Sequence, residues 1–160
     1  MRLLPATIGA LALLLVPTAL ADPPSRDPLP PPPGTSFTIS GICSFDVQVT
    51  FDVNKEYLHT FTNGAQVITG ALFATVTNLS NGKSTSLNIS GPGFSSVTSN
   101  QLTFSGTSLI IVNPGGLGPG APGAMLLTHG PATATFDNTG AIVALDLTSA
   151  STTDLCATLS

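Results

Sequence analysis

Cys43-Ser44-Phe45-Asp46-Val47-Gln48-Val49-Thr50-Phe51-Asp52-Val53-Asn54 alternates apolar and polar side chains over twelve residues. Cys43, Phe45, Val47, Val49, Phe51 and Val53 fall on one side; Ser44, Asp46, Gln48, Thr50, Asp52 and Asn54 fall on the other. A period of two belongs to an extended chain, because successive side chains of a strand point to opposite faces. One dry face and one wet face is the pattern of an antiparallel sheet covered on one side. The stretch reads as a strand.

The same rhythm continues on both sides of it. Asn63-Gly64 and Asn81-Gly82 are dipeptides that reach positive φ cheaply, as tight hairpin turns require, and Asp137-Asn138-Thr139-Gly140 offers a third turn. Between the turns the pattern predicts strands near 36–40, 44–53, 56–62, 65–77, 84–90, 101–105, 107–112, 124–128, 132–137, 141–148 and 153–158. Segment 65–77 is apolar on both faces, which suits a central strand or one bent by a bulge at Gly70. Gly91-Pro92-Gly93 reads as a corner. Asn113–Gly123 has eight Gly or Pro in eleven residues and reads as an exposed, mobile loop whose one core-seeking side chain is Leu117. Short strands at 8–12-residue spacing predict an all-β fold, a single antiparallel β-sandwich or small β-barrel domain over 35–160. The period does not separate these two.

Composition agrees. Residues 35–160 hold thirty-five Ser or Thr but only eight charged side chains: Asp46, Asp52, Lys55, Glu56, Lys83, Asp137, Asp146 and Asp154. One Glu and two Lys cannot dress the wet faces of several amphipathic helices, whereas Thr, Val, Ile and Phe fit a pleated surface. Over the whole chain four basic residues stand against eight acidic ones, a net charge of -4. That excludes a basic nucleic-acid binder.

The first residues have a different character. Met1-Arg2, an apolar run from Leu3 to Leu20 broken by Pro5 and Pro17, and small residues at Ala19 and Ala21 form the pattern of a secretory signal peptide over 1–21, cut before Asp22. Residues 22–34 come next, with seven prolines in thirteen. Few amide donors and fixed φ favour polyproline II there, so 22–34 is expected as a stiff linker. No second apolar run long enough to span a membrane comes after the signal.

Cys43 and Cys156 are the two cysteines of a chain expected to be exported. An oxidising compartment and an even count predict a disulfide between them. Redox motifs place cysteines close together, and zinc needs three or four clustered ligands, so neither reading fits.

Residues that could carry chemistry are few. His59 and His129 are the two histidines, and neither stands in a hydrolase motif; His129, beside Gly130-Pro131, is the better candidate for a general base because loops beside rigid sheets carry most sites. Asp46, Asp52 and Asp146 are scattered carboxylates without the clustered oxygens Ca²⁺ requires, so no metal site or cofactor is expected. Loop 113–123 lacks the Gly-Lys-Ser/Thr ending of a phosphate cradle. With no Trp and Tyr57 alone, a sugar-stacking platform is not expected. Asn78-Leu79-Ser80 and Asn88-Ile89-Ser90 match the N-glycosylation pattern, which matters only in a host that glycosylates.

The stretches Cys43–Val49, Asn54–Tyr57, Thr69–Gly70, Ala74–Asn78, Gly82–Ser84 and Asn88–Pro92 resemble small secreted proteins of high-GC Gram-positive bacteria whose function is unknown, over about residues 36–160. The resemblance implies a location outside the cell and transfers no active-site residue.

The expected function is therefore an exported, non-catalytic β-domain with an interaction or structural role at the cell exterior, meeting an extracellular or cell-wall partner through strand edges or loop 113–123. The alternative is a carrier of a small apolar ligand in a barrel or inter-sheet cavity. A third reading is a small hydrolase using His129. The carrier requires a cavity of about 300 Å³ or more lined by apolar side chains; the hydrolase requires His129 within hydrogen-bond reach of a serine or a carboxylate.

Overall fold

The computed structural model describes residues 22–160; the signal-peptide expectation for 1–21 lies outside the described residues. Among the described residues fourteen strands run in order: β1 Ser25–Pro28, β2 Ser36–Ile39, β3 Val47–Asn54, β4 Tyr57–Thr60, β5 Ala65–Thr69, β6 Leu72–Asn78 and β7 Ser84–Asn88 come first. Then come β8 Gly93–Ser96, β9 Gln101–Phe104, β10 Thr107–Val112, β11 Ala124–His129, β12 Ala132–Phe136, β13 Ile142–Asp146 and β14 Ser151–Asp154, with a closing helix α1 Leu155–Leu159. They form three antiparallel sheets: seven strands ordered β1-β4-β5-β8-β9-β12-β13, four ordered β2-β3-β6-β7, and three ordered β10-β11-β14. The fold is all-β and sandwich-like.

The order has a simple origin. Consecutive strands β3/β4, β5/β6, β7/β8, β9/β10, β11/β12 and β13/β14 are halves of long strands that turn a corner, one half in the seven-stranded sheet and the other in a smaller sheet. Strands that change sheets at bends are how orthogonal β-packings make their corners. In the large sheet every neighbour is paired. In the other half β7 and β10 do not pair, so the layer divides into the four- and three-stranded sheets. The two then pack on one another.

Two glycines show why the corners form where they do. Gly70 joins β5 to β6 at φ +141°, and a Cβ there would overlap the Lys55 carbonyl oxygen and sit 2.6 Å from Glu56 Cα. Gly91 donates its N–H to the Thr107 carbonyl at 3.0 Å, and a Cβ would lie 2.5 Å from that oxygen. Backbones approach at these corners closer than any side chain allows.

One core lies between the four-stranded sheet, the three-stranded sheet and α1: Val47, Val49, Ala74, Val76, Leu87, Met125, Leu155 and Leu159 are buried there. A second, smaller core puts Ile110 and Val112 of β10 against Ala132, with Phe104, Ile142 and Leu145 around them. β10 thus buries alternate residues in different cores, which is the continuous apolar run Leu109-Ile110-Ile111-Val112 in physical form. The outward faces are dressed with hydroxyls in place of charges. Ser36 Oγ and Thr50 Oγ1 stand 2.8 Å apart, and Thr103 Oγ1 and Thr133 Oγ1 2.9 Å apart, across neighbouring strands.

The predicted turns at Asn63-Gly64, Asn81-Gly82 and Asp137–Gly140 all join paired strands. Asn63 Oδ1 accepts from Ala65 N–H, and Asn81 Oδ1 accepts from Lys83 N–H, so each side chain stabilises its own turn. Cys43 and Cys156 are bonded, with Cα atoms 5.3 Å apart.

Several expectations are corrected. The alternation from Cys43 becomes a strand only at Val47, and the register shifts between Phe51 and Val53. Asp52 is the extra residue of that bulge, so Val53 pairs with Phe73 on the wet face, where Phe73 is 39% exposed. Segment 65–77 is not one central strand: it breaks at Gly70 into β5 and β6 in different sheets. Gly93–Ser96, unassigned by pattern, is β8. Stretch 153–158 is not a strand beyond Asp154. Asp154 Oδ1 accepts from the N–H groups of Cys156 and Ala157 and so caps α1, worth about 1 kcal/mol. Residues 22–34 do not stand clear of the body. Ser25–Pro28 is an edge strand on β4, a place where Pro28 needs no N–H. Asn54 Nδ2 then donates to the carbonyls of Leu29 and Pro31 at 3.1 and 2.9 Å. Loop 113–123 folds on itself through Gly115 N–H to Ala121 O, and Leu117 stays 45% exposed rather than entering a core.

Candidate functional site

The register places Leu58 opposite Ile68, Ile68 opposite Gly93, Gly93 opposite Phe104, and Leu102 opposite Ala134. These residues therefore share one face of the seven-stranded sheet, and Phe104 and Ala132 carry that face into the second core. Beyond that core the face is only partly covered: Ala134 is buried, while Leu58, Ile68 and Leu102 are half-buried. There it forms a groove of about 350 Å³ lined by Leu29, Leu58, Ile68, Leu102 and Phe136, with Gln66, Gln101, Asn100 and Asp137 among its polar neighbours. Leu29 arrives from the proline-rich segment, held by its N–H to the Glu56 carbonyl at 3.0 Å. The groove is an apolar trough with amides and one carboxylate nearby, the make-up of a small-ligand site.

Asp137 is held by its own turn. Its Oδ1 accepts from Thr139 Oγ1 at 2.7 Å and from the N–H groups of Thr139 and Ala141. These bonds favour the charged form and hold its carboxyl below the usual 3.8. Thr148 does the same for Asp146 through its hydroxyl and its N–H. Glu56, next to the groove on the Leu58 side, is opposite in character. It is half-buried, and burial alone pushes its carboxyl above the ordinary 4.5.

That burial acts on stability in one direction. Below the ordinary value Glu56 is protonated whether the chain is folded or not. As pH rises past 4.5, the unfolded chain releases its proton first, so this group's contribution to stability is lost through the folded-state value. Glu56→Gln should therefore raise the melting temperature at pH 7 and change it little near pH 4. A melting temperature lowered at pH 7 would refute the buried-charge reading.

The remaining sequence candidates are dispersed. His129 Nδ1 lies 2.9 Å from Thr107 Oγ1 at the exposed end of β11; its polar partner is a threonine. His59 pairs with Val67 in register, on the large sheet's face opposite to the groove. Asp52 accepts from Thr75 Oγ1 at 2.8 Å on the four-stranded sheet, Asp46 is exposed before β3, and Asp146 lies at the end of β13. Among the described residues no three of His, Cys, Asp and Glu come together to hold a metal. Asn78 is 2% exposed: its Nδ2 donates to the Leu159 carbonyl at 3.0 Å and its Oδ1 accepts from Ser80 N–H at 2.7 Å. That motif is a buried lock between β6 and α1. Asn88 is exposed and accepts from Ser90 Oγ at 2.7 Å.

A second concavity of about 530 Å³ lies where β7 and β10 part, between Ser86, Asn88, Thr107 and His129, with Leu87 and Leu127 as its large aliphatic side chains. Its wall is apolar in much the same proportion as the groove's, with hydroxyls, an amide and glycine backbone among it, but it lies more open to solvent. The groove is the better-formed ligand site.

Sequence reading missed the groove residues. Ile68 alone gave a signal, as part of the excess of apolar positions in 65–77. Leu29 sat in a stretch read as linker, and Leu58, Leu102 and Phe136 look like ordinary strand residues until pairing puts them on one face. Among the described residues no helix is long and apolar enough to cross a membrane. The Cys43–Cys156 bond is of the kind that persists in oxidising, extracellular surroundings. No family model matches the chain, and no curated protein or solved structure matches it either.

Proposed function

We propose that this is an exported, non-catalytic β-domain that binds a small ligand with an apolar body in the groove of its seven-stranded sheet. The observation that carries the reading is the groove itself, about 350 Å³ walled by Leu29, Leu58, Ile68, Leu102 and Phe136. That is within the range of small-ligand sites, and leaving five large apolar side chains around an unfilled space costs hydrophobic free energy that a ligand restores. Export is supported by the signal pattern of residues 1–21 and by the disulfide. A hydrolase is not supported, because His129 meets Thr107 and no carboxylate orients its ring among the described residues.

The chain contains no tryptophan, so Phe136→Trp creates a single fluorescent reporter inside the groove. Titration with a medium-chain alkyl probe such as decanol should shift its emission to the blue, saturably. Native mass spectrometry of the wild-type protein secreted from its own host should retain an adduct of a few hundred daltons. An unmoved emission together with a bare mass would reject a ligand in the groove.

A further inference from the structure

We propose that the outer face of the seven-stranded sheet, turned away from the groove, docks a second copy of this chain about a twofold axis at Phe94. The inference is independent of the groove reading, because it concerns the other side of the sheet.

Strand register lays one row of side chains straight across all seven strands. Arg26 of β1 is opposite His59, His59 opposite Val67, and Val67 opposite Phe94. Phe94 is opposite Thr103, Thr103 opposite Thr133, and Thr133 opposite Asp146 of β13. Residues directly opposite in antiparallel strands share a face. The row therefore runs from a cation on one edge strand to a carboxylate on the other. Six interstrand steps of about 4.8 Å make it about 29 Å long. Phe94 is its middle member, three strands from either end.

The middle and both ends are open to a partner. Phe94 is 44% exposed. Phe61, two residues past His59 and still paired through its N–H to the Ala65 carbonyl, is 41% exposed. None of Phe61, Val67 and Phe94 belongs to either core. Arg26 lies over the Tyr57 ring, 3.7 Å from its centre, which holds the guanidinium on this face. Asp146 is exposed, and Thr148 engages its Oδ1 through hydroxyl and N–H. A phenylalanine exposed at the centre of a sheet face is apolar surface that a partner would remove from water.

The row is self-complementary. In a twofold contact residue i meets j and j meets i. Turning the row end for end about Phe94 sets Phe94 on its own copy, Val67 on Thr103, His59 on Thr133 and Arg26 on Asp146. The last three contacts are each made twice. An aliphatic side chain meets a threonine methyl, a ring nitrogen meets a hydroxyl, and opposite charges meet at both ends. Laid the same way round, the two rows would put Arg26 on Arg26 and Asp146 on Asp146. Charge complementarity thus selects a second copy in the antiparallel setting. Stacked sheets lie about 10 Å apart with strands about 30° from aligned, an offset that the long Arg26 side chain spans.

The test is sedimentation velocity of the mature protein over a micromolar concentration series, with circular dichroism to check that each variant folds. Wild type should show a reversible monomer–dimer equilibrium. Phe94→Ser should weaken it at least about tenfold, because two buried rings are lost per dimer. Arg26→Glu and Asp146→Arg should each weaken it at least about threefold, since modest attractions at both ends become repulsions. The double variant Arg26→Glu/Asp146→Arg should restore wild-type affinity, because each end again pairs opposite charges. If Phe94→Ser does not fold, this charge exchange carries the test. A wild type that stays monomeric throughout the series would overturn the proposal. So would a dimer indifferent to Phe94→Ser, or a double variant that dimerises no better than the singles.

Discussion

Replacing Cys43 and Cys156 together by alanine is expected to remove about 4–5 kcal/mol of stability, the chain-entropy value for a crosslink of this span. The two residues are 113 apart in sequence, so the bond restrains nearly all of the body in the unfolded state. Its position makes the loss matter in the folded state too. Cys43 precedes β3 of the four-stranded sheet and Cys156 lies in α1, directly after β14 of the three-stranded sheet. Those two sheets share a core but no strand pairing. The disulfide is the covalent tie across that divide. Against a total of about 5–15 kcal/mol for an ordinary domain, the double variant should be near the edge of folding at 37 °C. Urea unfolding of oxidised wild type and the variant measures the difference, and the slope should rise as well, since the unfolded chain becomes more open. A loss below about 1 kcal/mol would mean that the unfolded chain is already compact or that the bond is strained.

Gly70→Ala is expected to cost at least about 3 kcal/mol, from an unfavourable backbone region and a collision that only backbone movement can relieve. The new Cβ would meet the Lys55 carbonyl and Glu56 Cα, and neither can swing aside as a flexible side chain would. Gly82→Ala is the matched control. Gly82 also holds positive φ, +74°, but nothing lies within 4 Å of a Cβ there, so it should cost only the about 1–2 kcal/mol of a left-handed alanine. The gap between the two variants isolates the corner contact. Equal costs would show that the β5–β6 corner relaxes freely, and the account of close-packed corners would fail.

The legible part of the fold is the part written in local spacing. Val47-Gln48-Val49-Thr50 alternates because one side faces the core and the other carries hydroxyl contacts, and it is a strand as read. Asn63-Gly64 and Asn81-Gly82 turn where they should, because their side chains and φ values close those turns without outside help. The Cys43–Cys156 bond was legible from count and compartment. Errors came where a distant contact outweighed a local preference. Proline-rich 22–34 gained a strand because the open edge of β4 offered partners to Ser25–Pro28 and Asn54 tied down Leu29 and Pro31 beyond it. The end of the chain became a helix because Asp154 caps it and Leu155 and Leu159, four apart, both reach the first core. Val53 changed face because Asp52 inserts a bulge, and a one-residue shift reverses every side chain beyond it.

By itself the sequence determined the β class, the hairpin turns and the pair of cysteines, since period, turn chemistry and redox chemistry are local properties of a chain. Only the tertiary structure decided that the strands bend through glycine corners and that the layer divides between β7 and β10. The same folding brought Leu29, Leu58, Ile68, Leu102 and Phe136 to one groove. Those five residues are scattered along the chain, and no periodicity links them. What joins them is strand register and the angle at each corner, and both are set by which backbones can approach and which apolar faces must be covered.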